Sequence, residues 1–129
     1  MSAIVYATAL KTTRMTSVVT AIGGTGYLVI GDSTLAGGAT GVIVKMPMSA
    51  TAGTVSGAIL TLNAITATAA TAGLIAAKAE IRSSSADTGN LVVSGLTVGT
   101  TGSDINLSTV TIGNGSTVTI TGSPTITHF

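Results

Sequence analysis

The stretch Ala76-Ala77-Lys78-Ala79-Glu80-Ile81-Arg82-Ser83 decides the fold class. Ala77, Ala79 and Ile81 alternate with Lys78, Glu80 and Arg82, the two-residue period of a strand that lays one face on a core. On this reading the three charges form a solvated or interfacial row on the other face. A polar loop, Ser83 to Asn90, separates this strand from a second at Leu91 to Val98, and Gly99 to Ser103 ends that one. Upstream, Thr54 to Thr66 carries β-branched residues and leucines around Gly57. Gly41 to Met48 reads as a strand closed by Pro47, and Tyr27 to Ile30 as a short apolar strand closed by Gly31-Asp32-Ser33.

One segment has the helical period instead. Leu10, Arg14, Val18 and Ile22 recur at i+4 from Ala7 to Ile22, with Met15 and Val19 beside them, and Gly23-Gly24 supplies the stop. Lys11 and Arg14 lie outside or at the edge of that stripe. Threonines and β-branched valines lower its intrinsic propensity, so this helix needs tertiary packing to form.

At the other end, Thr109-Val110-Thr111-Ile112 and Thr117-Val118-Thr119-Ile120 flank Gly113-Asn114-Gly115. A two-residue Asn-Gly loop would put Val110 and Val118 on opposite faces. A three-residue loop pairs them, so register favours a bulged hairpin. Pro124 and the residues after it read as an edge segment. Short strands, glycine-rich turns and no alternating helices predict an antiparallel β-sandwich or jelly roll with one N-terminal helix. The chain reads as a single β-rich domain over 1–129, with an N-terminal arm and helix at 1–23.

Composition narrows the class of function. Charged residues make up 7% of the 129, against about 25% in ordinary soluble domains, and the difference is taken up by threonine, serine and 17 glycines. The formal net charge of +1 gives copies little reason to repel one another. Tyr6, Tyr27 and Phe129 are the whole aromatic complement, so the core relies on aliphatic side chains. Such a chain covers its outside with hydroxyls, methyls and backbone, which suits a surface hidden by neighbouring subunits. No cysteine is present for a disulfide or thiolate metal site. Met1 to Lys11 lacks the charged and apolar regions of a secretory signal, and Ala58 to Ala77 is broken by Asn63, Gly73 and threonines rather than continuous as a membrane helix is. Lysine and arginine are too few and too scattered for nucleic-acid binding.

The residues that carry chemistry do not converge. Asp32 and Asp104 sit in turns, where aspartate accepts local backbone hydrogen bonds, and the one histidine, His128, reads as a solvated tail. Gly23-Gly24-Thr25-Gly26 follows a helix and precedes a strand, the reverse of a dinucleotide loop. Asp87-Thr88-Gly89-Asn90 lacks the later ligands of a calcium loop. The expectation is therefore no catalytic residue, no cofactor and no metal. A threonine array for ice binding, built on Thr109/Thr111, Thr117/Thr119 and Thr125/Thr127, lacks the coil period such arrays need.

Tyr6-Ala7-Thr8-Ala9-Leu10-Lys11 with Arg14-Met15, Gly26 to Ile30, Ala52-Gly53-Thr54-Val55-Ser56 leading to Leu60-Thr61-Leu62, and Val93 to Leu107 together resemble a family of small virion structural proteins of tailed bacteriophages and prophages. The glycine-rich 31–41 region and the missing aromatics after Ala72 depart from that pattern. The resemblance implies a capsid decoration (cement) protein with a β-sandwich or jelly-roll body. It would associate as a dimer or trimer, bind the major capsid protein at capsomer junctions, and pass from host cytoplasm to the capsid surface of the virion. Tyr6, Lys11, Arg14, Tyr27 and Phe129 are the candidate contact residues, since aromatic and arginine side chains anchor interfaces. A tail, neck or fibre component, or a non-viral adhesive or carbohydrate-binding β module, is the alternative.

Overall fold

A computed structural model describes residues 4–128. It is mainly β, with one helix, α1 (Thr8–Ile22), ahead of the strands. In chain order these are β1 (Tyr27–Gly31), β2 (Val42–Pro47), β3 (Gly53–Ser56), β4 (Ile59–Leu62), β5 (Thr68–Ala69), β6 (Lys78–Arg82), β7 (Leu91–Gly99), β8 (Ile105–Asn106), β9 (Thr117–Val118) and β10 (Thr125–Thr127). The largest sheet runs β2-β1-β6-β7-β8, a second β10-β4-β3, and β5 pairs with β9. The pairings are antiparallel except β7 with β8, which is parallel and makes the large sheet mixed.

The inner face of the large sheet presents Leu28, Ile30, Val44, Met46, Ala79, Ile81 and Leu96, which register places opposite one another strand by strand. Leu60 and Leu62 of the second sheet join the same buried cluster, while Ile59 and Thr61 between them point outward. Alternation of this kind is what a two-residue period dictates when one face is covered. Gly57, at φ +59, turns β3 into β4 and so divides the Thr54 to Thr66 stretch into two paired strands.

Helix α1 closes one side of the cluster with Met15 and Ile22, and Val18 and Val19 are half-buried beside them. Gly23 then takes φ +68 and returns its N–H to the Val19 carbonyl, the helix stop read from the sequence. The apolar stripe is shorter than the sequence suggests. Leu10 is 42% exposed, so the buried part of the stripe begins at Met15.

Two further expectations are corrected. The segments around Gly113-Asn114-Gly115 do not form a hairpin with each other. Thr117 and Val118 pair with Ala69 and Thr68, the Gly115 N–H donates to the Ala70 carbonyl, and Thr111 bridges Ile75. Both flanks thus use the 68–76 segment as partner, and Val118 reaches burial by that route. The 124–128 segment is an edge strand as expected: Pro124 is buried at its start, and β10 pairs with β4 alone.

The second correction concerns β6, where Glu80 and Arg82 are 4% and 0% exposed rather than a solvated row; only Lys78 faces water. The Gly37-Gly38 loop lies over them, with the Gly37 N–H 3.3 Å from Glu80 Oε1 and Arg82 Nη2 donating to the Gly38 carbonyl at 2.8 Å.

Candidate functional site

Of the sequence-derived contact residues, the structure gathers two. The Arg14 guanidinium carbon stands 4.2 Å from the centre of the Tyr6 ring, a cation–π contact. His128 completes the group: its ring meets Tyr6 edge-on at 6.0 Å, and its Nε2 lies 3.4 Å from Arg14 Nη1. His128 is not a loose tail, because its backbone N–H donates to the Ala58 carbonyl at 2.8 Å. No signal in the sequence joins positions 6, 14 and 128; β10 pairing onto β4 does so.

Lys11 is half-exposed on α1, and its N–H closes the first helical turn on the Ala7 carbonyl. Tyr27 belongs elsewhere. It sits half-buried on β1, opposite Pro47 and Arg82, on the outward face of the large sheet. Phe129 lies outside the described residues.

The outward face of α1 carries a row of hydroxyls. Thr13, Thr16, Ser17 and Thr20 donate to the carbonyls of Ala9, Thr12, Thr13 and Thr16 at 2.9–3.1 Å. Thr12 does the same to Thr8 and also reaches the Gly57 carbonyl at 2.7 Å, tying the helix to the β3–β4 turn. The protons of Thr13, Thr16, Ser17 and Thr20 are thus spent on the helix itself, and the single Thr12 proton is shared between Thr8 and Gly57. Thr12, Thr13, Thr16, Ser17, Thr20 and Ala21 line a shallow groove of about 470 Å³ with no charged side chain among them. Ahead of the helix, Ile4 and Val5 are 83% and 81% exposed.

Two ion pairs gather around β6 and the loop that follows it. Arg82 Nη2 pairs with Glu80 Oε1 at 2.8 Å, and Lys45 Nζ with Asp87 Oδ1 at 2.7 Å. The hydrogen bond from Lys45, and then its positive charge, hold the Asp87 carboxyl below its ordinary value. The Asp32 carboxyl is held low by hydrogen bonds from the Thr34 hydroxyl and N–H, which is the turn chemistry expected of it. Asp104 closes its own loop by accepting from the Thr97 N–H at 2.9 Å. These acids serve loop geometry, each in a different place.

Among the described residues no three His, Asp or Glu gather to hold a metal ion, and no helix is long and apolar enough to cross a membrane. No family model, curated protein or solved structure matches the chain.

Proposed function

We propose that this chain is a virion structural subunit, a capsid decoration protein that packs on the major capsid protein at capsomer junctions. The observation that carries the reading is the outward face of α1. Burying a hydroxyl in an interface costs free energy when its hydrogen bond to water is not replaced. Here the bonds are already made within the helix, so a partner covering Thr13, Thr16, Ser17 and Thr20 gains methyl burial without stripping donors of water. Lys11 and Arg14 on the same helix supply charge at its margin, suited to steering and register rather than to bulk affinity. A low overall charge and the resemblance to phage virion proteins point the same way.

The test is binding to purified, expanded shells of the virus that encodes the chain, followed by cryo-electron microscopy. Saturable binding with α1 against the shell is expected, and Thr16→Glu, at an exposed position, should abolish it without unfolding the protein. Density confined to the tail or neck would replace the decoration reading with the tail-component one. Binding that survives Thr16→Glu would show that this helix face is not the contact.

A further inference from the structure

A cleft of about 480 Å³ opens on the outward face of β6 and β7. Its origin is a bulge. Ala79 pairs with Leu96 and Ile81 with Val93, so the intervening Ser94 and Gly95 stand opposite Glu80 alone. Gly95 takes φ +76, a conformation glycine adopts without strain, and the ladder bends away there. Leu35 and Ala36 of the covering loop form one wall, Ala77 and Leu91 contribute aliphatic surface, and Glu80 lies at the floor. Leu91 is 48% exposed, an apolar side chain at the rim left uncovered by the chain's own fold.

Glu80 is the chemical key. Its Oε1 accepts from Arg82 Nη2 and the Gly37 N–H, whereas Oε2 accepts no hydrogen bond from any described residue. Solvent reaches this oxygen through the cleft, so whatever covers the cleft must supply the donor that water otherwise gives it. A cationic donor is disfavoured: Arg82 already balances the Glu80 charge, and Lys78 adds a positive charge at the rim. The complementary occupant is a neutral N–H or O–H on an aliphatic body.

The chain displays such a group. Residues 4–7 run without helix or strand partners into α1, with Ala7 at φ −59 and ψ 143. Ile4 and Val5 offer two almost fully exposed aliphatic side chains, and the backbone N–H groups of residues 4–6 find no acceptor among the described residues. We propose that this segment from a second copy lies in the cleft. Ile4 and Val5 pack on Leu35, Ala36 and Leu91, and a backbone N–H of the segment donates to Glu80 Oε2. The net charge of +1 per chain offers little opposition to this contact. It rests on the packing-subunit reading and names one partner of that subunit as itself. Because arm and cleft are different surfaces, the contact builds either a two-fold dimer, in which each arm fills the other's cleft, or a head-to-tail ring.

Sedimentation velocity across the micromolar to millimolar range, on the full chain, tests this with two variants at exposed positions. Ile4→Asp/Val5→Asp charges the arm and leaves the cleft intact; Ala36→Trp fills the cleft and leaves the arm intact. Each alone should weaken self-association by about tenfold or more. Mixing the two should restore a mixed complex, since one supplies a working arm and the other a working cleft. Circular dichroism checks that both remain folded. A wild-type chain that stays monomeric, an Ala36→Trp chain that associates normally, or a mixture that fails to associate each overturns the proposal. Shell binding by a strict monomer would sink this inference and leave the decoration reading standing; self-association without shell binding would do the reverse.

Discussion

Arg82 Nη2 and Glu80 Oε1 meet at 2.8 Å on a single strand, two residues apart and both closed from water. Side chains at i and i+2 share a face, so β6 can pair its own charges without help from a neighbour. The pair is incompletely satisfied, because Arg82 Nε and Nη1 are buried without a partner among the described residues. Burial of that kind makes one-sided changes costly and two-sided changes mild. Glu80→Leu, which strands the guanidinium, is expected to cost about 3 to 5 kcal/mol in urea unfolding. Glu80→Leu/Arg82→Met removes both charges and should recover most of that loss. A double variant as unstable as the single one would mean that the pair is net stabilising.

Acid should loosen the covering loops before it unfolds the sheets. Asp32 and Asp87 have carboxyls held below the ordinary value of 3.8, by Thr34 and by Lys45 respectively. A depressed folded-state value means the carboxylate contributes stability above the unfolded-state value, and that contribution is lost as pH falls through the folded one. Amide shifts of Thr34, and of residues 85–88, should therefore titrate with midpoints under 3.8. Asp32→Asn should remove the Thr34 transition and leave the Asp87 one in place. Midpoints at or above the ordinary value would contradict both assignments.

The strand alternation at 76–83 and the glycine stop after α1 are legible because each depends on residues within a few positions of one another. What lies over a strand is not local. The alternation of β6 separates Ala79 and Ile81 from Glu80 and Arg82, yet only the fold of Gly37-Gly38 across 40 residues decides that the charged side is covered too. A glycine-rich, apolar loop around Leu35 was the available hint, since such a chain can lie flat on a sheet. The 109–120 region fails for the same reason in reverse. Local register argued for pairing Val110 with Val118, and the same need for burial is met by the distant 68–76 segment. Tyr6 precedes α1 and Arg14 lies eight residues on, with no local pattern that pairs them, and the arrival of His128 requires β10 to be placed on β4.

Two glycines separate steric from conformational constraint. A Cβ on Gly53 would collide with the Thr61 backbone carbonyl across the β3–β4 ladder, and backbone of a paired strand does not give way cheaply. Gly53→Ala should destabilise by about 1 to 3 kcal/mol, the usual range for overpacking. Gly89 has open space around its missing Cβ but sits at φ +78, so Gly89→Ala faces only the left-handed cost of about 1 to 2 kcal/mol. Thermal melts would separate the mechanisms further. Gly89→Asn should recover much of the loss, since asparagine tolerates that conformation, and Gly53→Asn should be worse than Gly53→Ala.

Thr12 and Thr16 offer the sharpest contrast on α1. Both hydroxyls bond to a carbonyl one turn back, so removing either by a Thr→Val change of equal shape loses a bond that mildly competes with the helix ladder. Thr12 differs in reaching the Gly57 carbonyl at 2.7 Å, which fastens the helix to the β3–β4 turn. Thr16→Val should fall within about 0.5 kcal/mol of wild type, as surface changes do. Thr12→Val should cost about 1 kcal/mol, the net worth of one intramolecular hydrogen bond. Amide exchange adds a spatial readout. Thr12→Val should raise exchange at Ile59 and Leu60 beside the turn, while Thr16→Val leaves those amides unchanged, because its hydroxyl contacts only its own helix. If the two variants behave alike, the Thr12–Gly57 contact does not bind helix to sheet, and α1 is held chiefly by the apolar contacts of Met15, Val18, Val19 and Ile22.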